Sequence, residues 1–468
     1  MALSLVALMS PPGATQDEWF HASSIWCAQG VREPYCSEIG LISDFGFGAR
    51  TNLDALNCQS PPRQELYCPT ERESESVFLA NYGLYPKAYY YLMSFFVIPS
   101  VEQSIVLMRV VSALVITLVL GLTMWLLPSR YRIALFLVVL TTFPVTGNFL
   151  FASINPSGWT AFGTGVSWLA LHAALGSETC HRRQKLLLAV ASALAGFMAI
   201  GSRWDGVFFL ALAASLVVGH LSWLRFVHQR RTVALVWLCV PLVSLYLLER
   251  FAVLSPWEHL RVLFTFSEGQ PDNIAFLSYQ LLQGLPNALG AFGSVPSMTP
   301  IEIPQIVYVL SLGVLAFLMI QTFNRSAKLQ ALGVAVVVVV ISAVIAVQVA
   351  MTDSRDVGAI EPRYSYPLLI FGVGWWFLLG PQNLAETVVR YLKSAAVFAV
   401  VAFSLTTFTV TERFVDRQTF GFRWLPEAPD QWWWSWVPFG PNVVVILAPV
   451  CLWFFYRNFL KSQKLPAK

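Results

Sequence analysis

Two adjacent carboxylates and a histidine lie in a short stretch near the start of the chain. Asp17 and Glu18 stand side by side, and His21 follows four residues after Asp17 and three after Glu18. Residues three and four positions apart share a face of a helix, so this spacing predicts that the three side chains lie together. A carboxylate so placed is suited to taking a proton from a hydroxyl group. The alternative is an ordinary helix start, with Asp17 as the N-cap and solvated charges.

Three further polar residues stand at turns between apolar runs. Asn155 precedes Pro156, which can start a helix and leave Asn155 directed into a cavity; the other interpretation of Asn155 is an N-cap. Arg203 and Asp205 belong to a tight turn, where an unpaired charge at the membrane edge is costly. They are therefore expected to face protein or a wet cavity, and a purely structural Arg–Asp pair is the alternative.

Arg363 and Tyr364 stand where a polar loop is about to enter the membrane. An arginine there either anchors the loop at the interface or binds a phosphate through two parallel hydrogen bonds. Glu258 and His259 are secondary candidates, because adjacent residues of a helix do not face each other. No Walker loop, GxGxxG, HExxH or GxSxG motif stands at a position where it would indicate nucleotide binding or hydrolysis.

The composition places these residues in an integral membrane protein. Of 468 residues, 56% are hydrophobic and only 12% are charged, which leaves too little polar surface for a soluble chain. We expect an all-α polytopic fold with about 11–12 transmembrane helices, since a span needs about 20 apolar residues. The apolar runs lie at roughly 102–127, 133–153, 158–175, 186–202, 206–222, 232–250, 304–323, 329–351, 366–380, 391–411 and 441–456. The N-terminal run 2–9 is too short to cross, as if the first helix were truncated.

The basic residues predict the orientation, because Lys and Arg accumulate in short cytoplasmic loops. Basic loops alternate along the chain, and the ones we place in the cytoplasm contain Arg130 and Arg132, Arg182 to Lys185, Arg225 to Arg231, Arg325 and Lys328, Arg390 and Lys393, and the C-terminal tail. The candidate site residues then all lie on the outer side of the membrane. The net charge is +4, and the basic residues lie in several short loops on one side of the membrane. This distribution does not indicate nucleic-acid binding.

We treat residues 1–468 as one membrane domain whose outside loops are 11–101, 251–303 and 412–440. The first of these loops carries an aromatic segment at each end, and aromatic residues are enriched in the lipid headgroup layer. These segments predict two juxtamembrane helices, one ending near Gln29 and one near Ile98. The residues that suggest the interface are Trp19, Phe20, Ile25 and Trp26 in the first segment, and Tyr82, Tyr85, Tyr89, Tyr90 and Tyr91 in the second.

Four of the seven cysteines fall in the first outside loop, at positions 27, 36, 58 and 68. Outside the cytoplasm, an even number of cysteines predicts disulfides. Four cysteines allow three connectivities; the short spacings favour Cys27–Cys36 with Cys58–Cys68. A zinc site is the alternative, although no CxxC pair is present.

Three short motifs together resemble a known family. The runs 17–27, 155–158 and 363–367 are similar to DUF2142, a family of bacterial membrane proteins, which in turn looks like the GT-C superfamily of membrane glycosyltransferases. That superfamily takes sugars from polyprenyl phosphates on the outer face of the membrane, and it carries an acidic residue in the first outside loop. By resemblance, Asp17 and Glu18 occupy that position. The loop lacks the DxD pair that some relatives use with a metal, so we assign no metal ligand or cofactor, with a divalent metal left open.

The resemblance predicts an inverting glycosyltransferase that moves a sugar from a polyprenyl-phosphate donor to a glycan or lipid acceptor of the cell envelope. Asp17 would be the general base, Glu18 its substitute or a ligand of acceptor hydroxyls, and His21 would orient one carboxylate. The arginines Arg203 and Arg363 would neutralise the leaving phosphate, with Asn155, Asp205 and Tyr364 as further substrate-binding residues. The alternatives are a transporter or flippase of lipid-linked sugars, although transporters place their sites near the bilayer midplane, and a non-catalytic envelope scaffold.

Overall fold

A computed structural model describes residues 1–15, 17–30, 37–43, 46–50, 85–225, 303–323, 330, 362–381, 383–415, 436–438 and 440–462. Within these ranges the chain is helical apart from one β-hairpin, which confirms the all-α prediction for the part that lies in the membrane. The hairpin belongs to the first outside loop and pairs β1 (Ser37–Ser43) with β2 (Gly46–Arg50) in antiparallel register.

The helices of the N-terminal half include both short helices of the first loop. They are α1 (Ala2–Val6), α2 (Glu18–Trp26), α3 (Lys87–Ser94), α4 (Val101–Leu126), α5 (Ser129–Thr142), α6 (Asn148–Phe151), α7 (Pro156–Gly176), α8 (Arg182–Ser202) and α9 (Asp205–Arg225). A π turn over Phe143–Gly147 joins α5 to α6. The later helices are α10 (Gln305–Gln321), α11 (Tyr366–Leu378), α12 (Leu384–Val415) and α13 (Pro441–Ser462), with a 3-10 turn over Pro362–Tyr364 before α11.

Five of the described helical segments are long and apolar enough to cross a membrane. They are Val101–Leu126, Ser129–Phe151, Arg182–Ser202, Glu386–Glu412 and Pro441–Ser462, and shorter apolar helices cover Asp205–Leu221, Gln305–Gln321 and Tyr366–Leu378. These helices coincide with apolar runs of the sequence, so the chain is a multi-pass membrane protein. The run 232–250 and all of the run 329–351 except Gln330 lie outside the described residues, and a total of 11–12 spans therefore stays a prediction.

Helix α7 is the central helix of the described bundle, since nearly all its side chains are buried by α8, α9 and α11. Its start is fixed by the side chain of Asn155, whose Oδ1 accepts a hydrogen bond of 2.9 Å from the Ser157 amide. Gly163 allows α8 to approach closely, because a Cβ atom there would lie 2.4 Å from the Ala195 carbonyl oxygen. Small residues at such crossings are typical of helices packed within a membrane.

The loops predicted to be cytoplasmic come together at one end of the bundle. Arg130 Nη2 donates to the carbonyl oxygens of Leu378 and Gly380, at 2.8 and 3.0 Å. Gln184 Nε2 donates to the Leu126 carbonyl oxygen at 2.6 Å. The turns at 153–157, 201–205 and 362–366 gather at the opposite end. The alternation of loops is thus correct within the described part, whereas which end faces the cytoplasm stays a prediction.

The two short helices of the first loop pack more deeply than predicted. Helix α2 ends at Trp26, and the side chains of Ile25 and Trp26 are buried against protein. The prediction that these two side chains lie among lipid headgroups is therefore wrong, because the bundle covers them. Helix α3 divides its aromatic residues: Tyr89 and Tyr90 are buried, while Tyr91 and Phe95 are exposed and suit an interface.

Candidate active site

The backbone of Asp17 has an unusual conformation. It is the N-cap of α2 with φ 53° and ψ 17°, and it is the one non-glycine residue with positive φ among those described. Its carbonyl oxygen accepts the His21 amide at 2.9 Å. Aspartate tolerates this left-handed region better than most residues, yet the conformation persists only where the surroundings enforce it. Such strained residues cluster at functional sites.

The carboxylate of Asp17 forms an ion pair with Arg363. Oδ2 of Asp17 accepts from Nη2 of Arg363, and the two residues stand 346 positions apart in the sequence. The Arg363 side chain is only 3% exposed, whereas that of Asp17 is 38% exposed. The 3-10 turn over Pro362–Tyr364 presents the arginine at this end of the bundle. Two residues predicted separately from distant motifs therefore meet.

A second arginine–aspartate pair lies beside the first. Arg203 Nε is 3.0 and 3.1 Å from the two carboxylate oxygens of Asp205, and its Nη2 donates to Oδ2 at 2.8 Å. Nη1 donates to the Ser157 hydroxyl at 3.0 Å. Asn155 supports this pair indirectly, because its side chain accepts from the amide of Ser157, and the Ser157 hydroxyl accepts from Arg203. Asn155 is thus an N-cap and Asp205 is paired with Arg203, as the structural alternatives for these two residues predicted.

Two tyrosine rings join the arginines into one cluster. The Tyr364 ring centroid lies 5.1 Å from the Arg203 guanidinium carbon and 5.0 Å from that of Arg363. The Tyr85 ring lies 5.4 Å from the guanidinium of Arg203. Cations at this distance from a ring are attracted to its electron-rich face. The sequence did not single out Tyr85 or Ser157; the tyrosine-rich stretch that contains Tyr85 suggested an interface only.

Glu18 points away from this cluster and forms a buried clamp with Arg109. Its Oε1 accepts from Arg109 Nε at 2.8 Å, its Oε2 accepts from Nη2 at 2.5 Å, and both side chains have no exposed surface. Oε2 also accepts the Gly13 amide at 2.8 Å. Arg109 completes the clamp by donating to the carbonyl oxygens of Ala7, Ser10 and Pro11, at 3.0, 2.8 and 3.0 Å. The carboxylate is held by three donors and has no exposed surface, so an acceptor hydroxyl arriving from outside the bundle does not reach it in this arrangement.

The signal that could have found this clamp was present in the sequence. Arg109 is the single basic residue inside the apolar helix α4. A lone charge at such a position is costly unless a partner faces it, so it implies a carboxylate nearby. In the sequence, Asp17 and Glu18 are equivalent candidates for the partner of Arg109. The position of Arg109 in the fold shows that the partner is Glu18.

His21 is bonded to a tyrosine and not to either carboxylate in the described contacts. Its Nδ1 lies 2.9 Å from the Tyr90 hydroxyl, and its ring packs edge-on against Tyr85. Burial lowers the pKa of His21 well below its ordinary value, and the charges of Arg363 and Arg203 lower that pKa further. The imidazole is therefore neutral at pH 7. The described contacts give Asp17, Glu18 and His21 three different partners, so they do not include the expected bond by which His21 would orient a carboxylate.

The cluster surrounds a small cleft with an empty volume of about 160 Å³. Its lining comprises Ser157, Thr160, Arg203, Asp205, Phe209, Arg363, Tyr364 and Pro367. The lining atoms leave no space for a water-sized sphere inside the cleft, so in this arrangement it does not admit a sugar and its carrier. Among the described side chains, no three of the types His, Cys, Asp and Glu lie together as a metal site. A mechanism without metal accordingly stays a prediction.

Comparison with models of known protein families identifies a family that this chain matches. A family model described as "Predicted membrane protein (DUF2142)" matches residues 1–371 of the chain. No curated protein matches the sequence. No solved structure matches it either.

Proposed function

The chain belongs to the DUF2142 family of predicted membrane proteins, and from this premise we propose that it is an inverting glycosyltransferase of the GT-C type. The donor is a sugar linked to a polyprenyl monophosphate, and the acceptor is a hydroxyl group of an envelope glycan or lipid. The observation that supports this proposal most strongly is the meeting of Asp17, Arg203, Asp205, Arg363 and Tyr364 at one end of the bundle. Two separate turns and the start of α2 bring them together.

The cluster contains the two functions that such a transfer requires. Asp17 is the base that accepts the proton of the acceptor hydroxyl as its oxygen bonds to the anomeric carbon. The bond between that carbon and the phosphate oxygen breaks, and its electron pair leaves with the polyprenyl phosphate. Arg363 and Arg203 stabilise the negative charge that grows on this leaving group. The 38% exposure of the Asp17 side chain gives an acceptor a route to it.

Glu18 takes a different role in this proposal from the one that the sequence suggested. With Arg109 it fixes the polypeptide immediately beside Asp17, and so it positions the base without contacting substrate. His21 contributes a neutral ring to the wall next to Tyr85 and Tyr90. A neutral ring there does not compete with the arginines for the phosphate.

The direct test uses the purified full chain in proteoliposomes with polyprenyl-phosphate hexoses and pentoses as donors. Transfer predicts release of free polyprenyl phosphate that depends on an added envelope acceptor. A lipid-linked-sugar flippase would instead move the intact donor between leaflets without breaking the sugar–phosphate bond. Translocation of every donor with no release of polyprenyl phosphate would rule out the enzyme and favour the flippase.

The variant Arg363→Lys should weaken donor binding while some transfer survives at high donor concentration. Lysine keeps the charge but loses the two-pronged geometry of the guanidinium, at a cost of about 1–3 kcal/mol in binding. Donor affinity and single-turnover transfer are measured separately. Arg130→Lys, at the opposite end of the bundle, is the matched control. An unchanged donor affinity in Arg363→Ala would show that the arginine only anchors the loop.

We also propose that the cluster faces outside and that the predicted cytoplasmic loops face inside. Single cysteines placed near Asp17, Arg203, Arg363 or Trp433 should then react with an impermeant thiol reagent in intact cells. Cysteines near Arg182 or Arg231 should react only after the cells are opened. The positions near Trp433 and Arg231 lie outside the described residues. Protection near Trp433 together with labelling near Arg231 would overturn this orientation.

The first loop should be braced by two disulfides. Cys27 lies directly after α2, and Cys36, Cys58 and Cys68 lie outside the described residues. Each bridge typically contributes about 2–4 kcal/mol of stability. Mass spectrometry of unreduced protein from its native membrane should find all four of these cysteines oxidised and Cys180 reduced. Four free thiols in the loop would contradict the proposal.

A further inference from the structure

We propose that the Asp17–Arg363 ion pair is the resting form of an anion site, and that the phosphate of a polyprenyl-phosphate ligand replaces the Asp17 carboxylate on Arg363. The identity of the ligand rests on the proposed function. The inference deepens that function, because it makes donor binding the event that frees the base.

The burial of the two partners identifies which of them moves. Arg363 has 3% of its side chain exposed, whereas Asp17 has 38% exposed. The guanidinium is held within the bundle beside Tyr364, whose hydroxyl accepts from Arg363 Nη2 at 3.2 Å. The carboxylate is the partner that meets solvent. An anion arriving from outside the bundle therefore encounters the Asp17 side of the pair, and Asp17 is the group that it can displace.

The neighbouring pair shares the asymmetry in burial, with Arg203 14% and Asp205 35% exposed, but its hydrogen bonds hold it together differently. Asp205 contacts Arg203 through both carboxylate oxygens, and Ser157 holds a third nitrogen of the same guanidinium. Asp205 also stands only two residues from Arg203 in the chain. Asp17 contacts Arg363 through Oδ2. The Arg203–Asp205 pair is thus built to stay together, and it leaves Arg203 in place as the fixed second cation of the site.

The exchange requires little movement of the chain. The Glu18–Arg109 clamp fixes the residue after Asp17, and the α2 helix continues directly from it. Rotation of the Asp17 side chain alone removes the carboxylate from Arg363. The departure of the carboxylate leaves Arg363 open to the incoming phosphate, beside the cleft that Arg203, Arg363 and Tyr364 line.

This arrangement orders the reaction. While Arg363 Nη2 donates to Oδ2, the guanidinium occupies the oxygen that would otherwise receive a hydrogen bond from the acceptor hydroxyl group. Once phosphate occupies Arg363, the carboxylate is free beside the bound donor. The base therefore becomes competent only when a donor is present, and the acceptor acts second.

The experiment measures binding of farnesyl phosphate to the purified full chain in lipid nanodiscs, with farnesol as the uncharged control. Asp17→Asn removes the internal competitor, so it should bind farnesyl phosphate about tenfold more tightly than the natural protein, without a change for farnesol. Asp205→Asn removes the same charge from the same cluster but should not tighten binding. In the background of Arg363→Gln, the added change Asp17→Asn should have no effect.

An unchanged or weaker affinity in Asp17→Asn would overturn the exchange. An equal gain in Asp17→Asn and Asp205→Asn would also overturn it, because local charge alone would then explain both. If Asp17→Asn does not fold, Asp17→Ser carries the same expectation. Farnesyl phosphate contains no sugar, so these results stand apart from glycosyl transfer: exchange with no transfer would remove the enzyme alone, and transfer with no exchange would remove this inference alone.

Discussion

Asp17→Asn is expected to reduce single-turnover transfer by about 10²–10⁴-fold, the usual contribution of a general base. The amide keeps the size of the side chain and its N-cap position but cannot take the proton of the acceptor. Donor binding should persist in this variant, so the loss must appear in the transfer step. The measurement mixes saturating donor with enzyme and follows the sugar on the acceptor over time.

Two variants serve as controls for this result. Asp205→Asn makes the same chemical change at the neighbouring pair, and it should affect donor binding more than the transfer rate because it loosens Arg203. Glu18→Gln tests the adjacent carboxylate. Near-normal single-turnover transfer by Asp17→Asn would place the base elsewhere.

Arg109→Leu is expected to destabilise the protein by about 3–5 kcal/mol, the range for breaking a buried ion pair by removing one partner. The change leaves the Glu18 carboxylate with no exposed surface and without its cation. It also removes the donors for three carbonyl oxygens of the N-terminal segment. Thermal or denaturant unfolding of the purified protein in one detergent, with tryptophan fluorescence as the signal, measures the loss.

The double variant Arg109→Leu with Glu18→Gln should recover part of that stability, because no buried charge then remains. Arg182→Leu is the matched control: it changes the same residue type at an exposed position at the start of α8, and it should have little effect. Equal losses in Arg109→Leu and Arg182→Leu would contradict the importance of the clamp.

Much of the candidate site was predictable because a membrane limits where charged residues can lie. Asp17, Arg203 and Arg363 each stand at a turn between apolar runs, and alternate turns lie at the same end of a bundle. Hydropathy therefore assigned these three residues to one end before any contact was known. Their bonding pattern did not follow, since an ion pair between residues 346 positions apart depends on how the helices pack.

The different roles of Asp17 and Glu18 could not be predicted from the local sequence. The two residues are adjacent and chemically alike, and a helical periodicity groups both with His21. The two carboxylates have different partners. Glu18 pairs with Arg109 of α4, and Asp17 pairs with Arg363 of the 3-10 turn before α11. In addition, the positive φ of Asp17 places this residue outside the helix, so helical periodicity does not predict the direction of its side chain.

The great sequence separation of the Asp17–Arg363 pair has a consequence for biosynthesis. Asp17 leaves the ribosome early, but its partner is made 346 residues later, after most of the membrane helices have been inserted. Until then the N-terminal segment is held by partners that are made earlier, among them Tyr90, which bonds His21, and Arg109, 91 residues after Glu18. A nascent or prematurely terminated chain can therefore be clamped at its N-terminus and still lack one half of the site. Incomplete products left in the membrane would have no arginine at position 363 with which to bind a lipid phosphate.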